Sequence, residues 1–261
     1  MRLAAIGAAA LLLLGACREG PRGAADSGSG NEVLEILVTN DDGYDAPGID
    51  AVVAALRALP DTKVTVVAPA RNESGSGDDT TRAPHETRRT ETAGGFDATA
   101  VKGEPADAVN TALDELGLEP DVVVSGANRG ANLGPVTEVS GTVGAARTAA
   151  RRGIPALAAS TGTSHEPDYA GTAALVVRWI RQHRHDLLSG DEPHAVTSLN
   201  VPSCAPGEHR RGSVVERTAK DDDERDTDDV DCGSTRPASR FRDDIDAFVN
   251  GYAVFAPVSL H

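Results

Sequence analysis

Apolar and polar segments alternate along the chain in a way that predicts strands separated by helices. Short apolar runs rich in β-branched residues predict buried strands at 33–39, 63–68, 98–101, 121–125, 155–160, 195–201 and 252–258. Between them, apolar residues recur at helical spacing, which predicts helices at 47–59, 106–116, 141–152, 168–185 and 243–250. This order is typical of an α/β fold whose mainly parallel sheet is covered on both faces.

The first seventeen residues follow a different pattern. Arg2 precedes an apolar run over 3–14, and small residues lead to Cys17, which together predict a secretory signal peptide. The end of the segment resembles the lipobox of bacterial lipoproteins, so we expect an exported cell-membrane protein held only by lipid on Cys17. An ordinary cleaved signal, giving a secreted soluble protein, is the alternative. The Gly-, Ser- and charge-rich stretch 18–32 predicts a flexible tether.

One folded domain is expected over 33–261. With Cys17 set aside, Cys204 and Cys232 remain, and two cysteines outside the cytoplasm can pair. We therefore predict a disulfide between them, with two free thiols as the alternative. Residues 205–240 are polar and contain an acidic run, which predicts a solvated loop or insertion; calcium binding is the less frequent use of such a run.

Charge narrows the range of partners. The 261 residues carry a formal net charge of −15, and proteins that bind nucleic-acid backbones need clustered Lys and Arg, so that class is excluded. Small phosphorylated substrates are still allowed, because a bound metal ion can supply local positive charge. No apolar run in the sequence reaches the roughly 20 residues of a transmembrane helix.

Polar, glycine-rich segments follow several of the predicted strands. They cover 40–43, 69–75 and 125–134, and a fourth segment, 140–142, opens a helix. Ligands of open α/β sheets bind beyond the carboxyl ends of the strands, where these segments meet. Asp41 and Asp42 are adjacent carboxylates that repel each other unless a cation lies between them, and their oxygens suit Mg²⁺ or Mn²⁺. Capping of backbone N–H groups in an Asx turn is the alternative.

The same segments resemble the SurE (survival protein E) family of divalent-metal-dependent 5′/3′-nucleotidases. The matching stretches appear in family order and are VTNDDGYDAPGI, VTVVAPARNESGSG, GEPADAV, PDVVVSGANRGANLG and SGTVGAA. The resemblance implies a Rossmann-like three-layer fold. It also implies a C-terminal extension that exchanges between subunits, and hence a homodimer or a higher homo-oligomer.

The resemblance also implies which residues of this chain form the functional site. It implies that one divalent metal ion is held by Asp41, Asp42, Ser74 and Asn128, the loops that strand-end reasoning selects independently. It places the phosphate beside Asn132, Ser140, Gly141 and Thr142, and the exposed N–H groups of a helix that begins at Gly141 form a ready phosphate site. Plain turn and cap roles are the alternatives for Asn132 and Ser140. Glu104 and the stretch 135–139 depart from the family pattern on the substrate side.

We therefore predict a phosphomonoesterase that hydrolyses nucleoside monophosphates to nucleoside and phosphate, with Asp41, Asp42 and Asn128 as catalytic residues. Either aspartate is able to accept the proton of water. Tyr44 is predicted to stack on the nucleobase, or else to pack at the loop edge.

Three alternative functions follow from the same residues. They are a phosphatase of other small phosphomonoesters, a noncatalytic surface lipoprotein that binds metal or nucleotide, and an aspartyl-phosphate phosphatase with Asp41 as nucleophile. The last class has Asp-x-Asp spacing, whereas Asp41 and Asp42 are adjacent. The sequence disfavours a dinucleotide oxidoreductase, because no G-x-G-x-x-G follows the first strand.

Overall fold

A computed structural model describes residues 32–221 and 226–260. The predicted signal peptide, Cys17, most of the tether and residues 222–225 of the acidic run lie outside these residues. Nine strands form one sheet: β1 (Leu34–Thr39), β2 (Thr62–Pro69), β3 (Thr87–Glu91), β4 (Asp97–Val101), β5 (Val122–Arg129), β6 (Ala156–Thr161), β7 (Val196–Val201), β8 (Ser213–Val215) and β9 (Ala253–Val258).

The α-helices connect these strands and cover the sheet. They are α1 (Pro47–Arg57), α2 (Pro105–Asn110, continued by a π-helical turn), α3 (Gly141–Arg151), α4 (Tyr169–Ser189) and α5 (Asp244–Val249). The strand order is β3-β4-β2-β1-β5-β6-β7-β9-β8. Only the β3–β4 and β7–β9 pairs are antiparallel, so the predicted mainly parallel α/β sheet is confirmed.

Alternate residues of each central strand face two separate apolar layers. In β1, Ile36 and Val38 pack with α1 and α4, whereas Leu37 packs with α2 and α3 on the opposite face. Trp179 of α4 is 5% exposed in the first layer, as its helical spacing predicts. The sheet therefore has the three layers of a Rossmann-like fold, and its two faces need apolar side chains at nearly every central position.

The structure differs from the sequence prediction at three strands. Neither β3 nor β8 is predicted, because β3 is polar and mostly exposed and β8 has only three residues. The strand expected to end at Ser125 continues to Arg129 after an irregularity, and Asn128 pairs there with Ser160 of β6. Gly126 permits this close pairing, because an added Cβ would stand 2.1 Å from the Ala159 carbonyl oxygen.

The described parts of the predicted polar stretch, residues 205–221 and 226–240, include β8, which pairs with β9. Within the acidic run, the aspartates that the structure describes are all exposed, and they are Asp221, Asp226, Asp228, Asp229 and Asp231. Cys204 and Cys232 are bonded to each other in the structure, with their Cα atoms 5.8 Å apart, so the bond links the end of β7 to the segment before α5. None of the helices within the described ranges is long and apolar enough to cross a membrane.

Replacing Cys204 with serine is expected to lower the free energy of unfolding by about 3–4 kcal/mol. The bond joins two cysteines that are 28 positions apart in the chain. Closing a loop of that size lowers the conformational entropy of the unfolded chain, which stabilises the folded state by about this amount. Urea denaturation of the variant and of the reduced wild type measures the loss, and the two should agree. Equal stability of the wild type and the variant would contradict a bond formed in the native protein.

Candidate active site

The polar segments that follow the central strands are joined by hydrogen bonds. The Glu73 N–H donates to the Asp41 carbonyl oxygen at 2.8 Å, which fixes the loop after β2 to the loop after β1. The Arg129 N–H donates to the Asp42 carboxylate at 3.0 Å, and the Thr142 hydroxyl donates to the Asp41 carboxylate at 2.7 Å. Four chain segments thus converge at the carboxyl edge of the sheet.

Asp41 is the buried carboxylate of this site. Its side chain accepts the hydrogen bond from Thr142 on α3, and the residue is 3% exposed. Burial raises the pKa of Asp41 to about 6; the Thr142 hydrogen bond opposes this shift, and the neighbouring Asp42 charge adds to it. A negative charge at Asp41 is therefore costly without a cation beside it.

Asp42 lies closer to solvent and is held at both carboxylate oxygens. The Asn72 side-chain amide donates to one oxygen at 3.2 Å, and the Arg129 N–H donates to the other. Burial raises the pKa of Asp42, and the backbone hydrogen bond and charge of Arg129 oppose that rise. The two adjacent aspartates are therefore both held in a partly desolvated setting.

Asn128 and Ser74 supply neutral oxygens on either side of the aspartates. Asn128 is 7% exposed, and its amide nitrogen donates to the Gly130 carbonyl at 2.8 Å, which leaves the amide oxygen for a cation. Ser74 is exposed, and its N–H donates to Asn72, the residue that also holds Asp42. Asn72 therefore ties the Ser74 loop to the aspartate pair, a role that sequence reasoning missed.

The donor set of this edge fits a hard divalent cation. Across residues 32–221 and 226–260, no three His, Cys, Asp or Glu side chains are grouped to hold a metal. A cation here would instead need the two carboxylates together with the neutral oxygens of Ser74 and Asn128. Carboxylate, hydroxyl and amide oxygens are the ligands that Mg²⁺ and Mn²⁺ prefer. A cation at this position would also stabilise the ionised form of Asp41, which burial disfavours.

The N-terminus of α3 points at the same aspartates. Ser140 caps the helix by accepting the Val143 N–H at 3.2 Å, so the predicted cap role is present. A Cβ added to Gly141 would stand 2.9 Å from the Asp41 Cβ, so only glycine allows the helix to start this close. The first N–H groups of α3 therefore lie beside the aspartates, where an anion would be stabilised.

Asn132 is held on the same side by a buried polar network. Its side-chain amide donates to the Ser160 hydroxyl at 2.9 Å and more weakly to Thr142 at 3.4 Å. Asn200 of β7 accepts the Asn132 N–H at 2.7 Å and donates to the Asn132 carbonyl at 3.0 Å. Sequence reasoning missed Asn200 and Ser160, although each is a polar residue at the end of a buried apolar strand.

Tyr44 lies directly after the aspartates and is partly buried. Its ring packs against the apolar layer of α1 and α4. The Arg88 guanidinium of β3 lies over the ring, 5.6 Å from its centroid, and donates to the hydroxyl at 3.3 Å. These contacts give Tyr44 a packing role, and stacking on a nucleobase stays a prediction.

The raised pKa of Asp41 makes the stability of the metal-free protein depend on pH. Between the unfolded value of 3.8 and the folded value of about 6, the folded state holds more protons than the unfolded state. The free energy of unfolding contributed by Asp41 therefore falls as the pH rises through this window, by about 3 kcal/mol in total. Urea denaturation of wild type and Asp41→Asn between pH 4 and 7 isolates this contribution as the difference of their pH slopes. A difference of opposite sign would contradict it.

The fold and the site together define an α/β protein with a group of carboxylate, hydroxyl and amide side chains beside a helix N-terminus, at the carboxyl edge of its sheet. The family model described as Survival protein SurE matches residues 36–224, and the chain belongs to this SurE family. A protein named 5′-nucleotidase SurE from Pelobacter propionicus is 42% identical over 189 residues, covering 72% of this chain and 73% of that protein. Another of that name from Geobacter sulfurreducens is 43% identical over 191 residues, covering 72% and 70%.

A solved structure agrees with this assignment. The crystal structure of SurE protein from Aquifex aeolicus is similar to this chain with a TM-score of 0.68 and 30% sequence identity. The similarity covers 87% of this chain and 94% of that one. The predicted family and Rossmann-like fold are therefore confirmed.

Proposed function

We propose that this chain is a divalent-metal-dependent phosphomonoesterase that hydrolyses nucleoside monophosphates to nucleoside and inorganic phosphate. One observation carries the proposal. The buried Asp41 carboxylate, which is next to Asp42 in the chain, accepts a hydrogen bond from the Thr142 hydroxyl at the start of α3. A cation site and an anion site therefore share one side chain. The 5′-nucleotidase names of the relatives support the same reaction class.

We assign the residues of the site to two groups, one that would bind the metal ion and one that would bind the phosphate. Asp41, Asp42, Ser74 and Asn128 would hold Mg²⁺ or Mn²⁺, which when bound supplies the positive charge that polarises a phosphate oxygen. The Gly141 N–H at the start of α3 would bind another phosphate oxygen, and the Asn132 amide hydrogen that reaches Thr142 only at 3.4 Å would be available for a further one, so that both stabilise charge developing there.

Hydrolysis then requires water to add to phosphorus while the ester P–O bond breaks. One proton of the water passes to an aspartate carboxylate, and the same proton is then given to the departing alcohol oxygen, so that the carboxylate is restored and the products are an alcohol and phosphate. Asp41 suits the role of proton acceptor because its carboxylate is buried in the site, where it accepts the Thr142 hydroxyl beside the start of α3. Asp42 is held more firmly at both oxygens by Asn72 and Arg129, which suits a positioning role.

A substrate panel tests the proposed reaction. Phosphate release is measured from 5′- and 3′-nucleoside monophosphates, sugar phosphates and glycerol phosphate, each with Mg²⁺ and with Mn²⁺. We expect the nucleoside monophosphates to give the highest kcat/KM. Binding of nucleotide by calorimetry without turnover of any substrate would overturn the proposal in favour of a noncatalytic binding protein.

Asn200 is expected to support phosphate binding through Asn132. In Asn200→Asp the donor to the buried Asn132 carbonyl is lost, which leaves that oxygen unsatisfied and shifts the Asn132 amide. KM and the inhibition constant for inorganic phosphate should rise about ten-fold, with a smaller change in kcat. Ser198→Ala removes only a hydrogen bond to Asn200, so it serves as the matched control. A loss of stability with unchanged KM would contradict this role.

We also propose that the protein is exported and anchored through lipid on Cys17, as the lipobox-like sequence suggests. Mass spectrometry of the purified protein should find an acylated N-terminal cysteine, and Cys17→Ser should leave the membrane fraction. A homodimer or higher homo-oligomer is proposed from the family resemblance alone. Light scattering of the folded domain tests it, and a monomer at micromolar concentration would contradict it.

A further inference from the structure

One buried carboxylate joins the loop after β5 to the C-terminal region of the chain. Asp244 is the first residue of α5 and is 1% exposed. One of its carboxylate oxygens accepts the Gly134 N–H at 2.9 Å. The other accepts the N–H groups of Ala219 at 2.8 Å and of Ile245 at 2.9 Å. Asp244 therefore ties the segment that follows β5 to two parts of the C-terminal region.

Gly134 lies between the two elements to which we assign phosphate binding. It comes two positions after Asn132, and its carbonyl oxygen accepts the Thr137 hydroxyl at 2.7 Å in the turn that leads toward α3. That turn ends just before Ser140 and Gly141, where α3 begins. A shift of Gly134 would therefore move the Asn132 side chain, the start of α3, or both.

The C-terminal region also packs directly on the backbone of this segment. A Cβ added to Gly134 would stand 2.9 Å from Ile245 Cδ1 and 3.3 Å from Ala219 Cβ. Leu133, the residue before it, is 2% exposed and belongs to the same apolar cluster as Ile245 and Ala219. The two residues that follow Asn132 are thus held by the C-terminal region, and the bond from Gly134 to Asp244 is the polar part of that contact.

The buried charge of Asp244 is costly. Burial raises the pKa of Asp244, and the hydrogen bonds from three backbone N–H groups oppose that rise. A buried carboxylate lowers stability relative to an apolar side chain of similar size, even when it is well bonded. A residue kept despite such a cost is expected where it fixes one arrangement of neighbouring segments for function.

We propose that Asp244 is a positioning residue, which acts through Gly134 to hold the loop after β5 so that the Asn132 amide and the start of α3 bind the same phosphate group. The inference rests on the proposed phosphomonoesterase function, and it adds to that site a residue from the C-terminal region.

The variant Asp244→Asn separates the bond to Gly134 from the other two. Asparagine has one side-chain oxygen, and turning it toward Ala219 and Ile245 keeps two of the three bonds. Its amide N–H groups then face the Gly134 N–H, which is also a donor, so this bond is lost. Asp244→Ala loses all three bonds and should be the less stable variant. Asp243→Asn is the matched control, because it removes the same charge one residue earlier and asparagine still caps α5.

Four quantities are measured for each protein: KM for AMP, the inhibition constant of inorganic phosphate, the dissociation constant of Mn²⁺ and the free energy of unfolding in urea. We expect Asp244→Asn and Asp244→Ala to raise KM and the phosphate constant by a similar factor, about five-fold or more, with Mn²⁺ binding within about two-fold of wild type. Asp243→Asn should keep all three constants within about two-fold of wild type.

This pattern distinguishes positioning from a purely structural role. KM and the inhibition constant do not depend on the fraction of protein that is folded. If Asp244 served stability alone, the two constants would stay at the wild-type values or would change more in Asp244→Ala, in step with its larger loss of stability. Either result would overturn the inference and leave the proposed function standing.

Hydrogen exchange of the Gly134 amide, followed by NMR, tests the same bond without catalysis. The exchange rate should be about ten-fold or more faster in Asp244→Asn than in wild type or Asp243→Asn, because the amide loses its buried acceptor. An equal rate in all three proteins would contradict the role of Gly134.

The proposed function fails separately if wild type releases phosphate from no substrate. In that case the dissociation constant of inorganic phosphate in the presence of Mn²⁺, measured by calorimetry, decides the role of Asp244. Binding that is about five-fold weaker in Asp244→Asn and unchanged in Asp243→Asn supports the role, and equal binding in wild type and Asp244→Asn refutes it.

Discussion

Replacing Asp41 with asparagine is expected to lower kcat/KM for phosphate release about 1,000-fold or more, because it removes the carboxylate that we propose as metal ligand and proton acceptor. The same variant should be more stable than wild type without metal at pH 7.5, by about 2 kcal/mol. Burial and the charge of Asp42 make an ionised Asp41 costly, and asparagine carries no charge. Activity assays and urea denaturation of the same samples measure both effects.

Asp45→Asn is the matched control for this result. Asp45 is exposed in the same loop, and its substitution changes the net charge equally. It should leave both activity and stability close to wild type. An Asp41→Asn protein that keeps its activity, or that loses activity only because it unfolds, would contradict the site described above.

Replacing Arg147 with methionine is expected to cost about 3 kcal/mol of stability, because it removes the donors of a buried charged group. Arg147 of α3 is 1% exposed and donates to the Thr137 and Ser259 carbonyls and to the Glu138 carboxylate. It thereby fixes both the turn before α3 and the end of the chain. Thermal or urea unfolding measures the loss.

Arg151→Met is the control for Arg147, one helical turn further along α3. Arg151 pairs with Asp78 and with the Leu260 carbonyl, but its side chain is 40% exposed. An exposed pair of this kind contributes about 1 kcal/mol or less. If the two variants lost equal amounts of unfolding free energy, burial of Arg147 would not be the reason for its contribution to stability.

The central strands and helices could be predicted from the sequence because each buries apolar residues with a clear period. The edge strands β3 and β8 could not, because they depend on pairing with β4 and β9 and have little apolar pattern of their own. The extension of β5 beyond Ser125 could not be predicted from the sequence for a related reason. Its last four residues are glycine, alanine, asparagine and arginine, a composition typical of a loop, and only their pairing with β6 shows that they belong to the strand.

The candidate site was predictable where polar residues follow strands. The loops that hold Asp41, Asp42 and Asn128 were selected by that rule, and hydrogen bonds join them in the structure. Asn200 and Ser160 were missed because they lie inside strands, where they read as sheet residues. Their role depends on contacts with Asn132 across 68 and 28 positions of the chain, which local patterns do not encode.

Metal titration of phosphate release is the most direct test of a metal-dependent nucleotidase. Protein stripped with EDTA and dialysed is assayed with AMP while Mg²⁺ or Mn²⁺ is added back. We predict no release without metal, saturable recovery as a single ion binds, and no recovery for Asp41→Asn. Phosphate release that persists at the full rate in EDTA, or that recovers equally in Asp41→Asn, would contradict the function proposed here.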